Sequence, residues 1–294
     1  AELSHVIQGV ILGVKVDTVI HSVVYDSRLV KKGENKVFFA LNGPFRKGID
    51  FVDDAYKKGI RVFVVSSKDF TKKNDAVYIQ VEDVLDALLN LAKWHRIQFD
   101  IPVIAIAGTH GKTIVKEWLS LLLSEKFKVV KSPKSYNSKL GLAISILELN
   151  SDSEIAIFEV SLTEKGEGKL FNSLLNPTFG VLTHAGDKFD HKFGSKQDKF
   201  KEYLSLFKES KRVVYESQVY REIFNQQEHH NISMSDYKKE LDQLEIKEPV
   251  KKINASICLC SAAYFGANVD LKKGYLPDLA MRMESYEGIE NTII

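Results

Sequence analysis

The run Ala107-Gly108-Thr109-His110-Gly111-Lys112-Thr113 carries the residue types that hold a chain of phosphates. Its glycines let the backbone curl, so that several N–H groups can face one anion. A helix starting at the end of the run would add a partial positive charge at the same point. Lys112 can then reach the β and γ phosphates, and the Thr113 hydroxyl can hold Mg²⁺. The chemistry expected is binding of Mg²⁺–ATP by residues 108–113. The usual phosphate-loop pattern has a glycine where Ile106 stands, so this is a variant loop.

Such a loop works only between a strand and a helix, and the flanking pattern supplies both. Residues 103–107 are a continuous apolar run, as in a strand buried on both faces of a parallel sheet. Residues 113–123 follow with helical spacing. Further buried strands are expected at residues 155–160, 179–182 and 212–215. Before the loop, strands are expected at 19–25, 36–41, 61–66 and 76–81. Helices are expected at 51–58, stopped by Gly59, and at 84–97. The Asp100-Ile101-Pro102 punctuation marks a boundary. The expectation is an α/β chain of two domains. Residues 1–98 form a small α/β domain, and residues 99–294 form a phosphate-loop domain with a mostly parallel sheet. Residues 216–252 are polar and hard to assign, with a surface helix at 238–247; residues 254–265 read as a buried helix.

The bulk numbers narrow the class. Of 294 residues, 44% are hydrophobic and 27% charged, an ordinary globular balance. Forty-one basic and 39 acidic residues leave a net charge of +2, which gives no electrostatic case for nucleic acid or a membrane surface. Cys258 and Cys260 are too close along the chain to pair easily and lack metal-site spacing, which fits a reducing cytoplasm. No apolar run reaches the ~18 residues of a membrane span.

The loop form Gly-Thr-His-Gly-Lys-Thr resembles that of the Mur ligases, and other segments agree. Asp26-Ser27-Arg28 and Val37-Phe38-Phe39-Ala40-Leu41-Asn42-Gly43 resemble the family's first, UDP-sugar-binding domain. Thr113-Ile114-Val115-Lys116-Glu117-Trp118-Leu119 resembles the helix after the loop. Ser132-Pro133-Lys134-Ser135-Tyr136-Asn137-Ser138, Phe158-Glu159-Val160-Ser161, Asn176-Pro177-Thr178 and Ala280-Met281-Arg282-Met283-Glu284 also fit. The branch most similar adds D-Ala-D-Ala to UDP-MurNAc-tripeptide, and the wording is close to the ligase half of ligase–alanine racemase fusions. The resemblance implies a reaction in which ATP phosphorylates a carboxylate and an amine attacks the acyl phosphate. It implies Lys112 and Glu159 as catalytic residues, with Thr113 and Glu159 as Mg²⁺ ligands. Gly108, Thr109, His110, Gly111, Lys112, Thr113, Asn254 and Arg282 would hold ATP, and Ser27, Arg28 and Asn137 the UDP-linked substrate.

The sequence also departs from the family pattern. A metal-binding histidine is expected where Phe189 stands, with His191 two residues on as a replacement. Asparagine is usual at His184 and histidine at Ile49. A lysine, carbamylated in several members, is expected at Tyr203; helical spacing is expected to turn Lys199 and Lys201 to other faces. The family's C-terminal domain would begin where the sequence ends, so that domain, or a fused racemase, is expected elsewhere. Three readings stay open: a ligase inactive as this chain alone, a degenerate nucleotide-binding interaction module, and an unrelated phosphate-loop ATPase.

Overall fold

The computed structural model describes residues 2–13, 18–67, 70–184, 190–215, 230–231, 238–243, 246, 248–267 and 276. Phe189 and Arg282, both singled out above, lie outside the described residues. Up to residue 100 the elements run α1 (Glu2–Val6), β1 (Val10–Gly13), β2 (Ser22–Val24), β3 (Lys36–Phe39), α2 (Val52–Lys57), β4 (Val62–Val65), β5 (Val77–Gln80) and α3 (Val84–Arg96). Then come β6 (Val103–Ala107), α4 (Lys112–Ser124), β7 (Val129–Lys131), α5 (Lys139–Ile146), β8 (Ile155–Glu159), α6 (Glu167–Leu175) and β9 (Phe179–Leu182). The last are α7 (Asp190–Phe193), α8 (Lys196–Leu206), β10 (Arg212–Tyr215), β11 (His230–Asn231), α9 (Lys238–Gln243) and α10 (Pro249–Tyr264).

The chain divides into two compact units. The first comprises Ala1–Asp100 with Tyr136–Ser151 and Ser173–Leu175; the second takes the remainder. The first unit holds a five-stranded sheet in the order β1-β5-β4-β3-β2. Its pairings are parallel except β1 on β5. The first strand escaped the sequence reading because it is a short edge strand with no buried residue, so it shows no core-facing pattern. Phe38, Phe63 and Tyr78, on three adjacent strands, stack through the core of this unit. Arg96, buried near the end of α3, donates from Nε to Leu175 O at 2.9 Å and from Nη1 to Phe99 O at 2.6 Å.

The second unit is built on a six-stranded sheet in the order β11-β10-β9-β6-β8-β7, every pair parallel. Every residue of β6 is buried, as its unbroken apolar run predicts, and so is every residue of β8, Glu159 included. Helix α4 turns Ile114, Val115, Trp118, Leu119, Leu122 and Leu123 into this core at spacings of three and four. Each such side chain contributes ~1.5–3 kcal/mol on burial. Helix α10 packs on α4 and is longer than expected, beginning at Pro249, a residue suited to the first helical turn. Cys258 and Cys260 are buried free thiols on it. Among the described residues no helix is long and apolar enough to cross a membrane.

Candidate functional site

Strand β6 ends at Ala107, and α4 opens at Lys112 with Gly111 as its N-cap. The intervening turn requires its glycines. Gly108 has φ +133°, and a Cβ there would lie 2.2 Å from Thr183 Oγ1 and 3.0 Å from His184 O. Gly111 has φ +83°, and its Cβ would lie 2.9 Å from Asn254 Oδ1. The end of the neighbouring strand β9 clamps the loop from outside. Thr109 N and Oγ1 both donate to His184 O, at 2.6 and 2.8 Å. The Thr183 hydroxyl lies 2.6 Å from His110 O and 3.1 Å from Ala107 O. Thr183 was missed in the sequence, and His184 was noted only as a departure. Their contribution is a backbone clamp made by adjacent parallel strands, which linear spacing does not show.

Lys112 is 9% exposed and curls back over the loop, its Nζ donating to Gly108 O at 3.0 Å and lying 3.5 Å from Thr109 O. Glu159, at the C-terminal end of β8, is 1% exposed. Its Oε2 accepts the Thr113 hydroxyl at 2.9 Å, and its backbone N–H donates to Ser132 Oγ at 3.2 Å. Ser135 Oγ lies 3.3 Å from Thr113 Oγ1. Asn254, buried on α10, stands beside Gly111. The structure thus brings residues 108–113, Glu159 and Asn254 together. The site sits at the carboxyl ends of parallel strands, where open α/β sheets place ligands.

One carboxylate and one hydroxyl suit a Mg²⁺ ion that takes its remaining ligands from phosphates and water, while the helix N-terminus suits the phosphates themselves. Among the described residues no cluster of three or more His, Cys, Asp or Glu offers an all-protein metal cage.

Helix α8 corrects one expectation. Lys199 is 2% exposed and Tyr203 1%, so both lie on the buried face, one turn apart. Lys201 points outward to Asp198 at 3.0 Å. His191 is exposed on α7.

The first unit carries its own candidate surface. Asp26 caps the short 3₁₀ turn Ser27–Leu29 and grips Arg28 through Nε at 3.0 and 3.2 Å and Nη2 at 2.7 Å. This grip holds the Asp26 carboxyl below its ordinary range. Arg28 remains open to solvent, whereas Ser27 is buried and hydrogen-bonded to the Asp54 carboxylate. Tyr25 is hydrogen-bonded to Tyr136, which pushes its phenol up to about 12, helped by burial. That contact brings the segment bearing half-buried Asn137 to the Asp26-Ser27-Arg28 turn. Separately, a cavity of about 400 Å³ is lined by Ala40, Asn42, Lys47, Ile49, Asp50 and Ser66, among others. Neither Ser27 nor Arg28 lines it. Asn42 Oδ1 accepts Gly48 N–H at 3.0 Å and so closes the loop over which Lys47 is displayed. The sequence offered the Ala-Leu-Asn-Gly segment but no signal that selected Lys47 or Asp50.

Comparison with known proteins points one way. Residues 106–261 match the Mur ligase middle domain, and residues 19–96 the Mur ligase family catalytic domain. The UDP-N-acetylmuramoyl-tripeptide–D-alanyl-D-alanine ligase of Bacillus subtilis (strain 168) is 31% identical over 180 residues, covering 61% of this chain and 39% of that protein. The enzyme of the same name from Rickettsia prowazekii (strain Madrid E) is 31% identical over 202 residues, 68% of this chain and 44% of that protein. The chain therefore spans about two fifths of the length of these curated relatives. In fold it is similar to crystal structure I of MurF from Acinetobacter baumannii, with TM-score 0.80 and 20% identity over 96% of this chain and 68% of that one. MurF ligase from Thermotoga maritima in complex with ADP gives TM-score 0.68 and 23% identity over 90% of this chain and 67% of that one.

Proposed function

The chain belongs to the Mur ligase family, and from that premise we propose that it is the nucleotide- and acceptor-binding part of an ATP-dependent ligase of peptidoglycan-precursor synthesis. The substrates proposed are UDP-MurNAc-tripeptide and D-Ala-D-Ala, joined in the cytoplasm. ATP would bind across residues 108–113, with the helix α4 N-terminus and loop amides facing its phosphates. Lys112 would swing from the Gly108 and Thr109 carbonyls to the β and γ phosphates, neutralising charge as the γ-phosphoryl moves to the tripeptide carboxylate. Thr113 and Glu159 are the residues that would hold Mg²⁺, whose role is to neutralise phosphate charge. Asn254, beside Gly111, would border the nucleotide, as Arg282 is proposed to do. The amine of D-Ala-D-Ala would then attack the acyl phosphate, releasing inorganic phosphate and forming the amide. On the first unit, exposed Arg28 would pair with the diphosphate of the UDP-sugar, and Asn137 would line the substrate.

The observation that carries this reading is the convergence of Lys112, Thr113 and Glu159 on one loop mouth. Membership of the family corrects the third alternative, an unrelated phosphate-loop ATPase. The intact trio argues against the degenerate module. The test is calorimetric titration with ATP. Lys112→Ala should weaken binding about 10- to 100-fold, the worth of one charge-assisted hydrogen bond. Equal affinity in the two proteins overturns the assignment of the loop. Phosphate release requiring both UDP-MurNAc-tripeptide and D-Ala-D-Ala tests the reaction itself.

A further inference from the structure

Lys116 sits one helical turn beyond Lys112, yet it is fully buried. A buried ammonium is costly unless oxygens surround it. Here they come from three directions. Its Nζ donates to Ser132 O at 2.8 Å and to Lys134 O, and it pairs with Glu117 Oε1 at 3.1 Å. The fourth oxygen is Oε2 of Glu159, 4.0 Å away, the same atom that accepts the Thr113 hydroxyl. Glu117 is in turn bound by Lys131 at the end of β7. Burial raises the affinity of the Glu117 carboxyl for its proton, but Lys131 and Lys116 outweigh this and hold it below the ordinary range.

The geometry points to a role for Lys116 as a positioning residue that holds Glu159 and residues 132–135 against the phosphate loop. Those residues touch the site at two places. Ser132 Oγ receives the Glu159 backbone N–H, and Ser135 Oγ lies against Thr113 Oγ1. With Ser132 and Lys134 held by their carbonyls, both contacts are fixed in register. Lys116 thus acts through Glu159 and Thr113 rather than on nucleotide. The phosphates themselves would be held by Lys112 and the loop amides, none of which contacts Lys116 in the hydrogen bonds above.

The inference rests on the nucleotide reading, and it separates two affinities. Removing Lys116 should impair the metal-assisted part of nucleotide binding and spare the metal-free part. The experiment is calorimetry of the full chain with ADP, in MgCl₂ and in EDTA. In Lys116→Met the ratio of the two dissociation constants should shrink about 10- to 100-fold, as when a group supporting a metal ligand is lost. The EDTA value should stay within about threefold, because Lys112 and the loop amides are untouched. A residue needed only for folding would shift melting and leave that ratio intact. A folded Lys116→Met with the wild-type ratio therefore overturns the proposal. Should Lys116→Met fail to fold, Lys116→Met/Glu159→Gln decides, since it removes both buried charges. Recovery of folding in the double variant supports the pairing, and failure of both overturns it. Wild type that binds no ADP in either buffer would instead sink the nucleotide reading.

Discussion

Thr113 Oγ1 donates to Glu159 Oε2 at 2.9 Å, joining the first turn of the helix after the phosphate loop to the end of an adjacent parallel strand. Hydroxyl and carboxylate therefore face one point. Thr113→Val keeps the shape and removes the oxygen. It should reduce ADP affinity in MgCl₂ by about tenfold, the scale of one hydrogen bond to a charged group. In EDTA the affinity should hold. Calorimetry in the two buffers checks this, and an equal loss in both would place Thr113 outside the metal-linked part of the site.

The glycines of the loop differ from a glycine elsewhere in a measurable way. Gly108 and Gly166 both have positive φ, but a Cβ at Gly108 meets Thr183 Oγ1 at 2.2 Å, and one at Gly166 meets nothing within 4 Å. Gly166→Ala should cost only the left-handed backbone term, about 1 kcal/mol, and leave ADP binding unchanged. Gly108→Ala adds displacement of the β9 clamp, so it should cost more, up to ~3 kcal/mol, and abolish ADP binding. Urea midpoints and calorimetry on the two variants test the contrast. Similar behaviour of the pair would show that the clamp tolerates movement.

The sequence made some of this legible because certain features are local. The run Val103–Ala107 reads as a strand since both its faces are buried, and the glycines and Lys112 announce a loop by spacing alone. Helix α5 was missed because Gly141 and Ser145 are buried with Leu142 and Ala143, which erases the usual polar–apolar division. The clamp of Thr183 and His184 on the loop is a meeting of strands 70 and more residues apart in the chain. The burial of Lys116 is not legible in the linear sequence, because the oxygens that surround it come from residues 132–134, Glu117 and Glu159. Lys199 is misplaced by a spacing argument that holds for Lys201 but not for Lys199, since positions four apart, such as Lys199 and Tyr203, share a helix face.

Arg28 offers a test in the first unit that leaves the fold alone. Its side chain is 84% exposed, and its partner Asp26 is two residues away, so the pair contributes little to stability. Arg28→Ala should leave the melting temperature within about 1 °C, the usual result for an exposed side chain. Its affinity for UDP-MurNAc-tripeptide should fall by about tenfold or more, since a charge-assisted contact to the diphosphate is lost. Thermal shift and NMR titration read the two effects. Unchanged affinity would move the diphosphate elsewhere, with Lys47 in the 400 Å³ cavity as the next cation to replace.

Acid should disarm the ion pairs at the start of α8. Asp198 stands in the first turn of α8, its N–H donating to Ser195 Oγ and its carboxylate bound by Lys201 at 3.0 Å and Lys165 at 3.1 Å. Lys201 first, then Lys165 and Ser195, lower its carboxyl from an ordinary 3.8 to about 2. A carboxyl whose folded value is depressed stabilises the protein in its ionised form. That contribution is complete above pH ~4, declines as the unfolded chain's carboxyl protonates preferentially, and is gone once pH falls through the folded value near 2. Asp198→Asn keeps the N–H to Ser195 and removes the charge. Its urea midpoint should lie below that of the wild type at pH 7, and the gap should close between pH 4 and 2. Because the lysines are exposed, 1 M salt should narrow the gap at pH 7 by screening. A gap that stayed constant from pH 7 to 2 would mean that the asparagine perturbs the α8 cap by shape, and that the two lysines contribute nothing through charge.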